Sequence, residues 1–189
     1  MNALKHVRPA FVMAALFILL TGLAYPLAVT GVAGVALPYQ ANGSLVRDTG
    51  GRVRGSALIA QAFTGPGYLH PRPSAAGNNG YDPTSSSASN LGPMDKKLAD
   101  RVAGDAKALA AEAPGPIPAD AVTTSGSGLD PDISPENAAR QAPRVAAARK
   151  MSLEAVQAVI ARYTEQPVLG FIGQPRVNVL KVNRALDHE

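Results

Sequence analysis

The side chains able to do chemistry are few and fall in short clusters. Ser125-Gly126-Ser127-Gly128 offers two hydroxyls and the exposed backbone N–H groups of a glycine-rich turn, a weak cradle for phosphate. Asp130 and Asp132 follow at once, but two carboxylates in one turn are too few ligands for a metal, and Asp130-Pro131 reads as a turn. Gln141 and Arg144, three apart, share one face of a helix and suit either a ligand or the anchoring of a neighbouring loop; the anchor is the preferred reading. A serine nucleophile needs a base, usually histidine. Of the three histidines, His6 precedes a long apolar run and His188 lies in the terminal tail, so His70 alone is placed for such a role. No strand–nucleophile–helix pattern surrounds the serines, and His70 is read as a loop hydrogen-bond donor. No glycine-rich loop ends in Lys-Ser or Lys-Thr, the common ATP cradle. No catalytic residues and no metal site are therefore assigned.

The elements that must position these groups start with a membrane segment. No charge occurs between Arg8 and Arg47, and from Pro9 to Leu37 the only polar side chains are Thr21, Tyr25 and Thr30. About 20 such residues span a bilayer core. Pro9 suits a first helical turn and Pro26 should kink or end the helix, which places the span at residues 10–30, after a cytoplasmic 1–9 and before a linker at 31–42. Lys5, His6 and Arg8 on its N-terminal side predict a cytoplasmic N-terminus and an extracytoplasmic domain over 43–189. Cleavage after Ala36, releasing a free periplasmic protein, is the competing reading. Ala24, Ala28 and Gly31 lie on one helical face that would let another helix approach. One helix has no pore, so any transport path belongs to other subunits.

Beyond the membrane segment, the sequence predicts a loop-rich α+β domain. There are 18 glycines and 16 prolines, yet 46% of the 189 residues are apolar, which argues for order. Cysteine is absent, excluding disulfides and thiolate sites. Lys5 and Arg8 supply two of the 18 basic groups, and the rest nearly balance 14 acidic ones; with 5% aromatics, this is no nucleic-acid binder. Ser44–Asp48 and Arg52–Arg54 around Thr49-Gly50-Gly51 read as a hairpin, continued by 56–63 as strand or short helix. Residues 65–93 read as a long ordered loop. Helices are expected over 94–113, from Ser134 with a break at Pro143, and from Ser152 with Val156, Val159, Ile160 and Tyr163 as its stripe. Short strands are expected over 117–123 and 176–182, with a terminal turn at 183–187.

Several segments together resemble one family. They are Gly55-Ser56-Ala57-Leu58-Ile59-Ala60-Gln61-Ala62-Phe63, then Tyr68 and Arg72-Pro73-Ser74-Ala75, then Ser89-Asn90-Leu91-Gly92-Pro93. The run from Val122 to Pro135 follows, then Gln141, Arg144-Val145-Ala146 and Ala148-Arg149, and finally Arg176-Val177-Asn178-Val179-Leu180 with Asn183, Ala185, Leu186 and Asp187. In this order, behind one apolar helix, they resemble the C subunit of the bacterial Kdp potassium-transporting ATPase over nearly the whole chain. Leu69-His70 and Ala88 depart from the family pattern, and Lys181 and Arg184 dilute the last expected strand.

The resemblance implies a non-catalytic accessory subunit of an ATP-driven potassium importer in the inner (plasma) membrane, needed for assembly and full activity. Its implied partners are a channel-like potassium-translocating subunit, a P-type ATPase subunit and a small helical subunit. ATP is implied for the complex, and potassium passes through the partners. The resemblance also implies a catalytic chaperone that raises ATP affinity. An extracytoplasmic domain would do this indirectly, across a core of ~30 Å. The alternative is a cytoplasm-facing helper that contacts ATP through Ser125, Gly126, Ser127, Gly128, Gln141 and Arg144. Subunit docking is expected at Ala24, Ala28 and Gly31 of the helix and at Arg72, Asn90 and Asp130 of the loops.

Overall fold

The computed structural model describes residues 4–187 and divides at Leu45/Val46 into two units. His188 lies outside the described residues.

The first unit is one continuous helical rod. It comprises α1 (Leu4–Leu19), a π-helical turn (Leu20–Ala24) and α2 (Tyr25–Ala36), and a short α3 (Pro38–Ala41) follows. Residues 5–36 have a mean hydropathy of 2.2 over their most apolar window, which is wholly exposed. At 1.5 Å per residue the rod is roughly 48 Å long, more than a hydrocarbon core requires. Pro26 does not end this helix. It has no N–H to offer the Gly22 carbonyl, and the register slips one residue ahead of it, so that the Tyr25 N–H bonds the Leu20 carbonyl. Helix thus continues over 31–36, within the expected linker. Pro9 also sits inside α1 rather than in its first turn, because the chain is already helical at Leu4.

The expected hairpin, β1 (Leu45–Arg47) and β2 (Val53–Ser56), starts at the boundary and opens the second unit from Val46. The Asp48 carboxylate accepts the N–H groups of Gly50 and Arg52 at 2.9 Å and so shapes the turn. From Ala57 to Asp95 there is neither helix nor strand; residues 57–63 are turn and irregular chain, not the expected continuation. The helices α4 (Lys96–Glu112), α5 (Ala119–Val122), α6 (Pro135–Arg149), α7 (Leu153–Arg162) and α8 (Val179–Leu186) follow. A small antiparallel sheet, in the order β3 (Asp132–Ile133), β5 (Arg176–Asn178), β4 (Thr164–Glu165), pairs Ile133 and Thr164 with Val177 from opposite sides. The core lies between α6, α7, α8 and this sheet, with Val145, Val156, Val177 and Val182 fully buried.

Three expectations are corrected here. The strand expected over 117–123 is replaced at Ala119–Val122 by α5, because Pro118 presets an extended N-cap and Asp120 lies in the first turn, favouring a helix start. Pro143 does not divide α6. It and Ala139, whose carbonyl loses its partner, both face solvent, while Ala138, Ala142, Val145 and Ala146 bury the opposite face. The strand expected over 176–182 stops at Asn178, whose side chain accepts the Lys181 N–H and caps α8, so the terminal turn becomes helix.

Candidate functional site

The long irregular segment is held by polar side chains of the helices. Gln141 is buried in α6, and its carbonyl oxygen accepts the His70 N–H at 2.8 Å while its NH2 donates to the His70 carbonyl at 3.1 Å. The same NH2 donates to Asn137 Oδ1 and the same oxygen accepts from Arg144 Nη2, so the amide is saturated. Arg144 Nη1 donates to the carbonyls of Pro66 and Tyr68, and its Nε lies 2.6 Å from the Glu112 carboxylate at the end of α4. Gln141 and Arg144 therefore anchor the loop, as the residue types allowed. His70 Nε2 lies 3.0 Å from the Gly65 carbonyl, and burial holds its ring below the ordinary imidazole pKa.

Two anchors that the sequence reading passed over are as tight. Asn183 of α8, 1% exposed, accepts the Leu69 N–H at 2.8 Å and donates to the Leu69 carbonyl at 2.9 Å. Arg149 donates to the Gly67 carbonyl at 2.5 Å, and its guanidinium lies over the Tyr68 ring at 4.8 Å. Asn183 falls on the apolar face made by Val179, Val182 and Leu186, and an amide in that position was the available signal. Together these contacts drive Leu69 into the core.

The Ser125–Gly128 turn lies elsewhere, against residues 73–87. Ser125 N–H donates to the Pro73 carbonyl, Ser74 Oγ to the Gly128 carbonyl, and Ser87 N–H to the Ser127 carbonyl. Ser127 Oγ accepts from Leu129 N–H and Ser125 Oγ from Asp130 N–H. Gly128 has φ +70°, and a Cβ there would lie 2.6 Å from the Ser87 carbonyl oxygen. Its backbone closes on the loop instead of facing a cavity. Among the described residues, no hydrogen bond or shared cavity joins this turn to Gln141 and Arg144.

Of the expected docking residues, Arg72 and Asp130 meet in an ion pair at 2.9 Å, while exposed Asn90 bonds neither and adopts φ +52°. Ala24, Ala28 and Gly31 are exposed, with Ala24 in the π turn. A groove of about 810 Å³ opens beside Arg72, walled by Pro114–Pro118 and floored by Ser134, Glu136 and Arg140. A smaller recess of about 300 Å³ next to it presents Asp120, Asp130 and Asp132. Each carboxylate has partners: Asp120 takes the Ser134 N–H, the Ser134 hydroxyl and Asn137, Asp130 takes Arg72, and Asp132 takes Asn178 and Arg176. Among the described residues no cluster of three His, Cys, Asp or Glu side chains forms a metal site.

The described residues thus comprise an apolar rod and a domain knit by side-chain anchors onto irregular backbone. The profile of the family described as "K+-transporting ATPase, c chain" matches residues 7–188. The chain belongs to the KdpC family. It is 67% identical over 185 residues to the potassium-transporting ATPase KdpC subunit of Caulobacter sp. (strain K31), covering 97% of this chain and 94% of that one. The corresponding subunit of Caulobacter vibrioides (strain NA1000 / CB15N) is 64% identical over 185 residues, covering 97% and 93%. That of Beijerinckia indica subsp. indica is 56% identical over 187 residues, covering 97% and 94%. As a KdpC-family member the chain is an accessory subunit in potassium transport by a P-type ATPase.

Proposed function

We propose that this chain is the non-catalytic accessory subunit of an ATP-driven potassium importer, and that it assembles with a channel-like potassium-translocating subunit, a P-type ATPase subunit and a small helical subunit. The observation that carries this reading is the family match over residues 7–188, on a chain whose single apolar helix is long enough to cross a membrane. The N-terminus is cytoplasmic and the domain over 43–189 is extracytoplasmic. Lys5 and Arg8 before the span, with no further basic residue until Arg47, support that orientation.

In this reading the chain stabilises the complex and raises the ATP affinity of the hydrolysing subunit indirectly. A coupling of about 1–3 kcal/mol transmitted through the assembly suffices, equivalent to roughly 5–150-fold in affinity. The saturated amide of Gln141 supports an indirect route, since both of its N–H donors are already taken within the domain. Docking runs through the apolar rod, where Ala24, Ala28 and Gly31 admit close approach, and through the loops bearing Arg72, Asn90 and Asp130.

ATP hydrolysis by the purified complex tests this, measured against ATP concentration with and without the chain. The reading expects a lower KM for ATP with the chain present, and no ATP binding by the chain alone. Binding by the isolated full-length chain that Gln141→Ala abolishes would overturn the indirect route.

A further inference from the structure

The register slip ahead of Pro26 leaves polar backbone uncovered in the middle of the apolar rod. The Tyr25 N–H is given to the Leu20 carbonyl, and Pro26 has no N–H. Those are the two positions that could serve the Thr21 carbonyl, in α-helical or π-helical register, and the Gly22 carbonyl loses its α-helical partner to the same proline. The Thr21 hydroxyl does not substitute, because it donates to the Phe17 carbonyl at 2.6 Å. Among the described residues no other side chain donates to Thr21 or Gly22. Nothing screens these carbonyls either: Gly22 has no Cβ, and one built there would meet nothing within 4 Å. At 1.5 Å per residue Thr21 lies roughly 22–24 Å from both ends of the rod, near the middle of a hydrocarbon core ~30 Å thick. Pro9 and Pro38 also free carbonyls, those of Lys5 and Gly34, but at the ends of the rod, where water reaches them. Tyr25, one turn beyond Thr21 and 66% exposed, adds a phenol with no hydrogen bond among the described residues. Helical side chains tilt back toward the N-terminus, which brings that hydroxyl toward the depth of Thr21.

Hydrocarbon cannot satisfy such groups. Backbone freed by proline inside a membrane is served by hydroxyls of its own chain, by ordered water or by neighbouring helices. The hydroxyl of its own chain is already spent on Phe17. A buried water needs two to four polar partners in an enclosed site, and an open helix face provides no enclosure. A second copy of this rod has little to give. Between Pro9 and Leu37 its polar side chains are Thr21, Tyr25 and Thr30, of which the first is occupied and the last lies more than two turns away. One phenol would then have to serve two carbonyls. A neighbouring helix of different sequence, with its own donor at this depth, meets the need directly.

We propose that the Thr21–Pro26 turn is a hydrogen-bonding notch that receives an amide or hydroxyl side chain (Asn, Gln, Ser or Thr) from a transmembrane helix of another subunit of the complex. Gly22 lets that helix approach, and Pro26 keeps the two acceptors open by withholding the N–H that would compete for them. The inference rests on the complex membership proposed above and adds where on the rod, and by what chemistry, a partner helix engages it.

The test expresses the full-length chain with the other subunits and measures the fraction retained in the complex after purification and dilution in detergent. Gly22→Leu closes the notch with a side chain and lowers retention by roughly fivefold or more. Pro26→Ala restores an N–H to the helix and removes bulk instead of adding it, and lowers retention by roughly threefold. Ala14→Leu, which adds bulk where the helix is regular, leaves retention unchanged. Leu and Ala in place of Gly and Pro favour a membrane helix, and the amount of chain in the membrane fraction before extraction verifies insertion. Loss with Gly22→Leu while Pro26→Ala is fully retained would reduce the turn to a steric contact and overturn the hydrogen bonds. Equal loss with Ala14→Leu, or full retention of both notch variants, also overturns the notch. So does co-purification of two differently tagged copies that Gly22→Leu abolishes, since the partner would then be a second copy. In each of these cases the wild-type chain still co-purifies with the other subunits and complex membership stands. A wild-type chain that does not co-purify with them removes both.

Discussion

Gln141, Asn183 and Gly128 show how single residues organise this domain. Each amide grips both backbone groups of one loop residue, His70 or Leu69, so truncating it strands a buried donor and a buried acceptor together. Asn183→Ala is expected to cost about 2–4 kcal/mol, seen as a fall of roughly 5–15 °C in Tm of the full chain in detergent. Gly128→Ala combines an unfavourable left-handed φ with a Cβ 2.6 Å from the Ser87 oxygen, and is expected to cost at least about 2 kcal/mol. Gly126→Ala, with nothing within 4 Å, leaves Tm within a degree or two, or roughly 0.5 kcal/mol. Equal effects at the two glycines would contradict this packing.

His70 gives the pH dependence at this scale. Burial lowers its folded pKa below the ordinary 6.5, so the unfolded chain takes up the proton first. Its contribution is present above pH 6.5 and is lost as pH falls through the lowered folded value. His70→Gln, which keeps a donor for Gly65, is expected to flatten that part of the decline in Tm. An unaltered profile would show that the ring does not titrate there.

At the scale of elements, α6 keeps Pro143 on its solvent side and α4 keeps nothing buried at all. Pro143→Ala is expected to restore a backbone bond and raise stability by about 1–3 kcal/mol, read as a higher Tm. A lower Tm would mean that the core is shaped to a bend in α6. The half-buried stripe Leu98, Val102, Ala106 and Leu109 attaches α4 weakly, and polar contacts finish the job: Arg101 to the Val122 carbonyl, Arg144 to Glu112, and Arg140 to the carbonyls of Leu109 and Ala113. In hydrogen exchange α4 should therefore open before α6 and α7, whose buried faces tie them to global unfolding. Uniform protection across the three helices would refute that order.

Helices with caps and a clean apolar stripe were legible in the residues: Ser134 and Ser152 cap α6 and α7 where the sequence places them. The hairpin was legible from Gly50-Gly51. The end of the chain was not, because Arg176 to Val182 reads as a strand until Asn178 caps a helix. A capping amide competes with a β-rich run, and the buried face won. Pro26 and Pro143 were read as breaks, yet neither ends its helix, since a π turn and a solvated carbonyl accommodate them. The anchoring role of Gln141 and Arg144 was visible from their spacing. That of Asn183 was not, since it depends on which loop arrives to meet it.

For the whole molecule, the family relation makes the chain a partner in a machine whose chemistry lies in other subunits, and its own structure is spent on holding irregular backbone in place. The account depends most on which side of the membrane the domain occupies, because that decides whether nucleotide can ever meet it. The cysteine-free sequence makes the measurement clean. Ala161→Cys places one thiol on the exposed face of α7, away from every anchor described above. Intact cells bearing this chain would be treated with a membrane-impermeant thiol reagent. The account predicts labelling before lysis, equal to that seen after it. A thiol that labels only once the cells are broken would contradict it, place the domain in the cytoplasm and restore direct contact with ATP.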